Sequence, residues 1–161
     1  MDAAAILLVD VSGSMDMHDC AEGKTRYKVA CEQLLSLQRS LEGKIAVVAF
    51  SDRPFFCPGG IPPMPNGGTD LTAALKFIQP ADGCGIRFVV ISDGEPDNGT
   101  TAIELANKFT TKIDTVYCGP ETGAGREFLS DLAAASGGVF AGQSVKDLPN
   151  LAQTVERLLS A

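Results

Sequence analysis

The sequence predicts an α/β fold, with a doubly wound, mainly parallel sheet and helices on both of its faces. Two observations support this prediction. Continuous aliphatic runs, typical of parallel strands buried on both faces, recur along the chain. Segments with the hydrophobic spacing of amphipathic helices lie between most of these runs. Because 161 residues is a common domain size, we expect a single domain over residues 1–161.

The elements of the first half follow from local patterns. The aliphatic run near the N-terminus and the run KIAVVAF predict buried strands, and leucines at helical spacing predict a helix between them. The run RPFFC predicts an edge strand, since Pro54 cannot donate a ladder hydrogen bond. In chain order, the strand, helix, strand and edge strand span 3–11, 25–41, 44–50 and 53–57. Residues 60–68, with three prolines and three glycines, predict a loop.

The second half continues the alternation of helices and strands. The predicted order is helix, strand, helix, strand, helix, short strand and helix, over 69–79, 86–93, 100–111, 112–119, 124–138, 139–142 and 144–160. The paired glycines at 137 and 138 are a common signal for the C-terminal end of a helix. Pro149 is compatible with the last helix only in or just before its first turn.

Charge and hydropathy argue against several classes of partner. The formal net charge is −7, so the chain lacks the basic footprint of a nucleic-acid-binding protein or of one that binds an anionic membrane surface. No apolar run reaches the roughly 18 residues that a membrane span requires. We therefore expect no nucleic-acid partner and no membrane span.

The cysteine pattern indicates reduced thiols. The five cysteines are an odd number without CxxC spacing, and there is a single histidine, His18, so the usual zinc and thioredoxin-like signatures are missing. Reduced cysteines are typical of cytosolic proteins. The start MDAAA also lacks the basic region of a secretory leader. We expect a cytoplasmic, monomeric protein.

Oxygen-bearing side chains follow the predicted strands and one loop. Asp10 lies at the end of the first strand and Ser12 and Ser14 come just after it, Thr69 ends the proline- and glycine-rich loop, and Asp93 directly follows the run IRFVVIS. Ligands of such sheets bind outside the carboxyl ends of the strands, and alternate residues of an extended segment point the same way. Carboxylates and hydroxyls are hard ligands suited to Mg²⁺, Mn²⁺ or Ca²⁺.

Each of these features alone has an ordinary structural explanation. Ser12, Ser14 or Asp16 could cap the following helix, and Thr69 or Asp70 could cap the helix at 69–79. The pair Asp93–Gly94 is also common turn chemistry. Their joint occurrence at one predicted sheet edge favours a cation site. Asp70 could brace the loop or cap the helix beside this site, and we favour the cap.

The segments DVSGSM, GGTDL and SDGEPDN together resemble the von Willebrand factor A domain and its metal-ion-dependent adhesion site. The family pattern D-x-S-x-S, then Thr, then Asp is matched by Asp10, Ser12, Ser14, Thr69 and Asp93. KIAVVAFSD and FLSDLAAASGGVFAG resemble further family segments, so the resemblance covers nearly the whole chain. It implies a Rossmann-like sheet with Mg²⁺ at its top. It also implies direct bonds from the serines, a direct or water-mediated bond from the threonine, mostly water-mediated contacts from the aspartates, and a partner Asp or Glu completing the octahedron.

A phosphatase is the main catalytic alternative, because a D-x-[DST]-x-[ST] start also resembles haloacid-dehalogenase-like enzymes. That chemistry needs a second acid and a lysine near the phosphate. Ser12 stands where the second acid is expected, and Lys108 and Lys112 bracket the end of a predicted helix rather than follow a strand. His18 is expected at the surface, and Cys20 has no basic neighbour in sequence apart from it. We expect no enzymatic activity.

The expected function is Mg²⁺-dependent binding of a protein that supplies an Asp or Glu carboxylate. The loops at 15–24, 52–68 and 94–99 are candidates for selecting that partner, and PFFCPGGIPPMP is equally explained as a loop packed on its own sheet edge. The chain resembles the bacterial or phage intracellular branch of the family, which includes tellurium-resistance-type proteins and partners of MoxR-like AAA+ ATPases. This resemblance implies an adaptor. The alternative is an extracellular adhesin or surface domain.

Overall fold

The computed structural model describes residues 4–94 and 96–160 and contains a six-stranded sheet with helices on both faces. The strands are β1 to β6, over Ala5–Asp10, Ile45–Phe50, Pro54–Cys57, Arg87–Ser92, Ile113–Tyr117 and Phe140–Ala141. The helices are α1 to α5, over Arg26–Ser40, Leu71–Ile78, Gly99–Ala106, Gly125–Ser136 and Leu151–Ser160. Short 3₁₀ turns occur at Gly13–Asp16, Ala21–Gly23, Gln79–Ala81 and Val145–Asn150.

The sheet has the order β3-β2-β1-β4-β5-β6. All neighbouring strands are parallel except β2 and β3, which pair antiparallel, with Phe50 opposite Pro54. Pro54 is thus the first residue of an edge strand, where its missing N–H costs little. The predicted fold class and the predicted edge strand are confirmed.

Two apolar cores lie on opposite faces of the sheet because successive strand side chains alternate in direction. Leu7 and Val9 of β1 belong to the core shared with α1 and α5. Leu8 belongs to the other core, which includes residues of α2, α3 and α4. With both faces of β1 covered, its nearly unbroken aliphatic composition is explained.

The direction of chain winding reverses beside β1. The chain leaves β1 through α1 to reach β2 on one side, and it later returns to β4 on the other side. In such sheets the crevice outside the carboxyl ends of the two strands at the reversal is the usual ligand position. Here those two ends are Asp10, the last residue of β1, and Ser92, which directly precedes Asp93.

Several element ends differ from the sequence predictions for local reasons. The helix predicted at 100–111 ends at Ala106, and residues 110 and 111 instead donate hydrogen bonds to Asp82. The helix predicted at 144–160 begins as the 3₁₀ turn Val145–Asn150, with Pro149 inside that turn and directly before α5. Residue 3 of the predicted first strand lies outside the described residues. Over 4–94 and 96–160, no helix combines the length and the apolar character needed to cross a bilayer.

Candidate metal site

Asp10 lies at the bottom of the candidate site and is completely buried. One carboxylate oxygen, Oδ1, accepts a hydrogen bond from the Ser12 backbone N–H at 2.7 Å. The other, Oδ2, accepts one from the Ser92 hydroxyl at 2.7 Å. Because the donors come from the segment after β1 and from the end of β4, they fix the carboxylate between the two strands.

Ser12 and Ser14 converge with Asp93 as their alternate spacing predicts. Their hydroxyl oxygens lie 3.0 Å apart, and the Ser14 hydroxyl donates a hydrogen bond to Asp93 Oδ2. Ser12 and Asp93 are each 2% exposed. The segment after β1 and the residue after β4 therefore bring hydroxyl and carboxylate oxygens to one place.

Thr69 lies in a loop that is tied to both of these segments. The Gly13 N–H donates to the Gly67 carbonyl at 3.0 Å, which joins this loop to the segment after β1. On the other side, the Asp97 N–H donates to the Thr69 carbonyl at 2.9 Å, and Asp97 Oδ2 accepts from the Thr69 N–H at 3.2 Å. Thr69 is 5% exposed, and these hydrogen bonds hold the loop that carries it against the two segments that bear Ser12, Ser14 and Asp93.

Asp52 braces the same loop, a role that the sequence reasoning missed. Its Oδ1 accepts a hydrogen bond from the Gly68 N–H at 2.8 Å. A Cβ at Gly67, where φ is 79°, would collide with the Asp52 carboxylate. The sequence shows Asp52 two residues after a predicted strand and a Gly-Gly pair at the far end of the proline-rich loop. Nothing in the sequence indicates that these two features are in contact, because 16 residues separate Asp52 from Gly68.

The helix that follows the first strand is capped by Thr25 and not by Ser12, Ser14 or Asp16. Thr25 caps α1, since its hydroxyl oxygen accepts a hydrogen bond from the Lys28 N–H at 2.9 Å. Ser12 precedes only the 3₁₀ turn Gly13–Asp16 and makes no side-chain capping bond to the described residues. The capping interpretation of Ser12, Ser14 and Asp16 for the following helix is therefore wrong.

The caps and turns predicted beside the site are present. Asp70 caps α2 by accepting a hydrogen bond from the Ala73 N–H at 2.9 Å, which confirms its predicted role and leaves Thr69 free of capping duty. Gly94 has a φ of 74°, so the Asp93–Gly94 pair does form a turn. The turn places Asp93 at the crevice, so the turn and a role of Asp93 in the site are compatible.

The two buried carboxylates form a site that favours positive charge. Burial, and secondarily the negative charge of Asp93, raise the pKa of Asp10 to about 7, although hydrogen bonds from Ser12 and Ser92 act in the opposite direction. A bound cation would offset the charge repulsion that Asp93 exerts on Asp10. The Asp93 Oδ1 atom is buried and has no hydrogen-bond partner among the described residues. An acceptor in that position is stabilised by a cation or by a proton donor.

The donor chemistry fits a hard cation bound partly through hydroxyls and water. No group of three His, Cys, Asp or Glu side chains suited to a metal occurs in the described ranges 4–94 and 96–160. A cation here would therefore rest on two carboxylates and the hydroxyls of Ser12, Ser14 and Thr69. Mg²⁺ commonly takes one or two protein carboxylates and keeps several waters, so this set suits it better than it suits zinc.

Arg26 is a second residue that the sequence did not place at the site. It is 3% exposed, and its Nη1 lies 3.4 Å from Asp93 Oδ2 while its Nη2 lies 2.6 Å from Asp19 Oδ2. The sequence does contain an indication that one of these cations has a special role. Lys24, Arg26 and Lys28 surround the N-terminus of a helix, where the helix dipole disfavours positive charge. Lys24 is paired with Glu22 and Glu32 at the surface instead.

An apolar groove runs beside the site, between α1, the loop at 15–24 and the proline-rich loop. It has a volume of about 540 Å³ and is lined by Asp16, His18, Thr25, Tyr27, Lys28, Cys31, Glu32, Leu35, Ile61 and Met64. The Tyr27 hydroxyl donates to the Pro62 carbonyl at 2.6 Å, which anchors the proline-rich loop on α1. Pro62 is buried, while Ile61 and Met64 are 65% and 69% exposed. The proline-rich loop therefore packs against α1 on one side and exposes apolar side chains to solvent on the other.

Comparisons with known proteins agree on the fold. The chain matches an aerotolerance-related membrane protein from Bacteroides fragilis with a TM-score of 0.77 and 17% identity, over 98% of each chain. It also matches a von Willebrand factor type A structure from Catenulispora acidiphila with a TM-score of 0.74 and 18% identity, over 99% of this chain and 42% of that one. The fold is von Willebrand factor A-like.

A third solved structure has the same fold within a longer chain. This is a mutant of the PilB minor pilin from Streptococcus sanguinis, with a TM-score of 0.72 and 13% identity over 99% of this chain and 61% of that one. No family model matches the sequence, and no curated protein matches it. At these identities the likeness concerns the von Willebrand factor A-like architecture alone.

Proposed function

We propose that this chain is a divalent-cation-dependent protein-binding module. Asp10, Ser12, Ser14, Thr69 and Asp93 would hold Mg²⁺, with Mn²⁺ or Ca²⁺ as substitutes. The single observation that carries this proposal is the buried Asp93 Oδ1 without a hydrogen-bond partner among the described residues, beside the buried carboxylate of Asp10. When bound, the cation supplies a Lewis-acid centre for an Asp or Glu carboxylate of a partner.

The chain's own residues prepare the site for this task. The hydrogen bonds from Ser12 and Ser92 hold the Asp10 carboxylate in one orientation. The Ser14 hydroxyl and the Arg26 guanidinium hold Asp93. A site whose ligands are already fixed loses less conformational entropy when it binds an ion and a partner.

We propose that the site binds a carboxylate or a phosphoester without catalysing a reaction. A hydroxyl, Ser12, occupies the position of the second acid of a phosphatase. Arg26 approaches the site, but its side chain is 4% exposed and is already paired with Asp19 and Asp93, so it is poorly placed to hold a transferring phosphoryl group.

The apolar groove supports a polypeptide partner over a small ion or metabolite. Exposed apolar side chains grouped beside a polar site are a common mark of a protein interface. We propose that the partner's carboxylate binds at the cation while apolar side chains next to it pack against Ile61, Met64 and Leu35. The proline-rich loop loses little entropy on docking, because Tyr27 already anchors it.

For the cellular role, we propose a cytoplasmic, monomeric adaptor, with a MoxR-like AAA+ ATPase system as the candidate partner. All five cysteines are free, which supports a reducing compartment. The alternative is an extracellular adhesin or surface domain, and the structural likeness to a minor pilin favours it. An ATPase gene beside the gene for this chain would favour the adaptor, and an anchor or leader in the full gene product would favour the adhesin.

Affinity capture from the native host tests the proposal. Immobilised protein is exposed to lysate in Mg²⁺ or in a chelator, with Thr69→Ala as the site variant and Asp131→Ala, an exposed position of α4, as the matched surface control. We expect one set of proteins to be retained by the wild type and by Asp131→Ala in Mg²⁺, and to be lost with chelator or with Thr69→Ala. Equal recovery under all conditions would contradict cation-dependent docking.

A further inference from the structure

We propose that Arg26 is a built-in counter-cation of the candidate metal site. It holds Asp93 in place while no metal ion is bound, and it lowers the affinity of the site for that ion. This inference rests on the proposed function, because it concerns the same cation site. It assigns to Arg26 a positioning role exerted through Asp93.

The guanidinium of Arg26 contacts one carboxylate near the surface and one in the site. Towards the surface, its Nε lies 3.0 Å from Asp19 Oδ1 and its Nη2 lies 2.6 Å from Asp19 Oδ2, a two-point ion pair. Towards the interior, Nη1 lies 3.4 Å from Asp93 Oδ2. The same Asp93 oxygen accepts the hydrogen bond of Ser14, while Asp93 Oδ1 has no partner in the described part of the chain. Arg26 therefore neutralises one oxygen and leaves the other open.

The position of Arg26 in the helix is electrostatically unfavourable unless the negative charge of the site offsets it. Arg26 is the first residue of α1, and its side chain is 4% exposed. A cation at a helix N-terminus is opposed by the helix dipole, and a buried cation loses its hydration. The ion pair with Asp19 alone could form with the guanidinium in water. Its burial against Asp93 is explained if the role of Arg26 is to compensate the carboxylates of the site.

The backbone around Arg26 fixes this arrangement. The Arg26 N–H donates to the Met17 carbonyl at 3.1 Å, which attaches the start of α1 to the segment that follows Ser14. Thr25 caps the helix directly before it. This backbone bond holds the start of α1, and with it the guanidinium, next to the segment that carries Ser12 and Ser14.

A fixed positive charge so close to a ligand has a direct electrostatic consequence. It repels an incoming divalent cation and competes with it for Asp93 Oδ2. In compensation, it stabilises the site without metal, where two buried carboxylates would otherwise repel each other. It also adds positive charge to the loaded site, which favours an anionic ligand from a partner. Removing the charge should therefore strengthen metal binding, an effect that general damage to the fold does not produce.

The test compares Mg²⁺ binding and thermal unfolding of the wild type with Arg26→Met, which removes the charge and keeps an unbranched apolar chain. Arg39→Met is the matched control, because Arg39 is an exposed residue in the last turn of the same helix. We expect calorimetry to show the Mg²⁺ dissociation constant falling by about tenfold or more in Arg26→Met. The melting temperature without metal should fall, and its rise on adding Mg²⁺ should exceed that of the wild type. Arg39→Met should match the wild type in both measurements.

A conservative variant and a folding measurement complete the test. Arg26→Lys keeps the charge, so its Mg²⁺ affinity should lie closer to the wild type than that of Arg26→Met. If Arg26→Met is unfolded without metal, circular dichroism should show that millimolar Mg²⁺ restores its structure, and failure to do so would overturn the inference. Equal or weaker Mg²⁺ binding by folded Arg26→Met would overturn it too. Absence of Mg²⁺ binding by the wild type would instead refute the proposed function.

Discussion

The Ser14 hydroxyl donates a hydrogen bond to Asp93 across 79 residues of sequence. This contact joins the segment after β1 to the residue after β4, the two strands at which the winding of the sheet reverses. It places a hydroxyl against one oxygen of a carboxylate whose other oxygen is buried without a partner in the described ranges. Ser14 and Asp93 therefore stand at the centre of the proposed site.

Asp10→Asn should separate the stability of the fold from metal binding. The neutral amide removes the repulsion between the two buried carboxylates and can still accept the hydrogen bond from the Ser12 N–H. We expect the metal-free melting temperature to be equal to or higher than that of the wild type, and the rise caused by Mg²⁺ to disappear. Thermal unfolding with and without Mg²⁺ checks this. A Mg²⁺-dependent rise that survives in Asp10→Asn would contradict the assignment of Asp10.

Purified protein should release no phosphate from simple phosphoesters in the presence of Mg²⁺. The reason is that Ser12 replaces the second acid and the guanidinium of Arg26 is already paired. A phosphate-release assay on the wild type and Asp10→Asn measures this. Metal-dependent turnover that is lost in Asp10→Asn would reverse the ranking of binding above catalysis.

Gly94→Ala should destabilise the protein far more than Gly85→Ala. Both glycines have positive φ, 74° and 80°, so both variants bear the backbone strain of about 1 kcal/mol. A Cβ at Gly94 would also collide with the backbone of Gly125, whereas a Cβ at Gly85 meets no atom within 4 Å. Denaturant unfolding should therefore show a loss of about 1 kcal/mol for Gly85→Ala and at least about twice that for Gly94→Ala. Equal losses would show that the close approach of the two backbones is not tight.

Asp82→Ala should lower stability in a pH-dependent way. Burial acts to raise the pKa of Asp82, but hydrogen bonds from the backbone N–H groups and hydroxyls of Thr110 and Thr111 outweigh it and hold the pKa below its ordinary value of 3.8. A carboxyl with a lowered pKa in the folded state stabilises the protein above its ordinary pKa, and this stabilisation is lost as the pH falls through the lowered value. We expect Asp82→Ala to lose about 1 kcal/mol at neutral pH.

The measurement for Asp82 is the difference in unfolding free energy between the wild type and Asp82→Ala as a function of pH. It should be constant at neutral pH and should shrink at pH values below 3.8. A difference that persists unchanged in acid would show that the carboxylate charge is not the source of the stabilisation.

The sequence predicted the fold class and the grouping of the strand-end residues because both depend on local patterns. Continuous aliphatic runs marked the buried strands, and the alternate spacing of Ser12 and Ser14 marked a shared direction. The role of Asp70 as a cap followed from its position directly before α2. In each case the deciding partner lies within a few residues in sequence or is fixed by the general rule for parallel sheets.

Contacts between loops were not predictable in the same way. Arg26 reaches Asp93 across 67 residues of sequence. Asp82 accepts hydrogen bonds from the N–H groups of Thr110 and Thr111, which lie 28 and 29 residues away in sequence. Such pairs depend on how separate loops meet at the edge of the sheet, which no periodicity encodes. The early end of α3 at Ala106 has the same cause, since the residues after it are hydrogen-bonded to another loop rather than continuing the helix.

Titration calorimetry with Mg²⁺ tests the central claim most directly. The wild type and the surface control Asp131→Ala should bind Mg²⁺ at one site, and Asp10→Ala and Thr69→Ala should lose that site while circular dichroism shows an intact fold. Asp10 and Thr69 come from different segments that only the folded chain brings together, so loss in both variants would locate the cation between them. Unchanged Mg²⁺ binding in both variants would contradict the assignment.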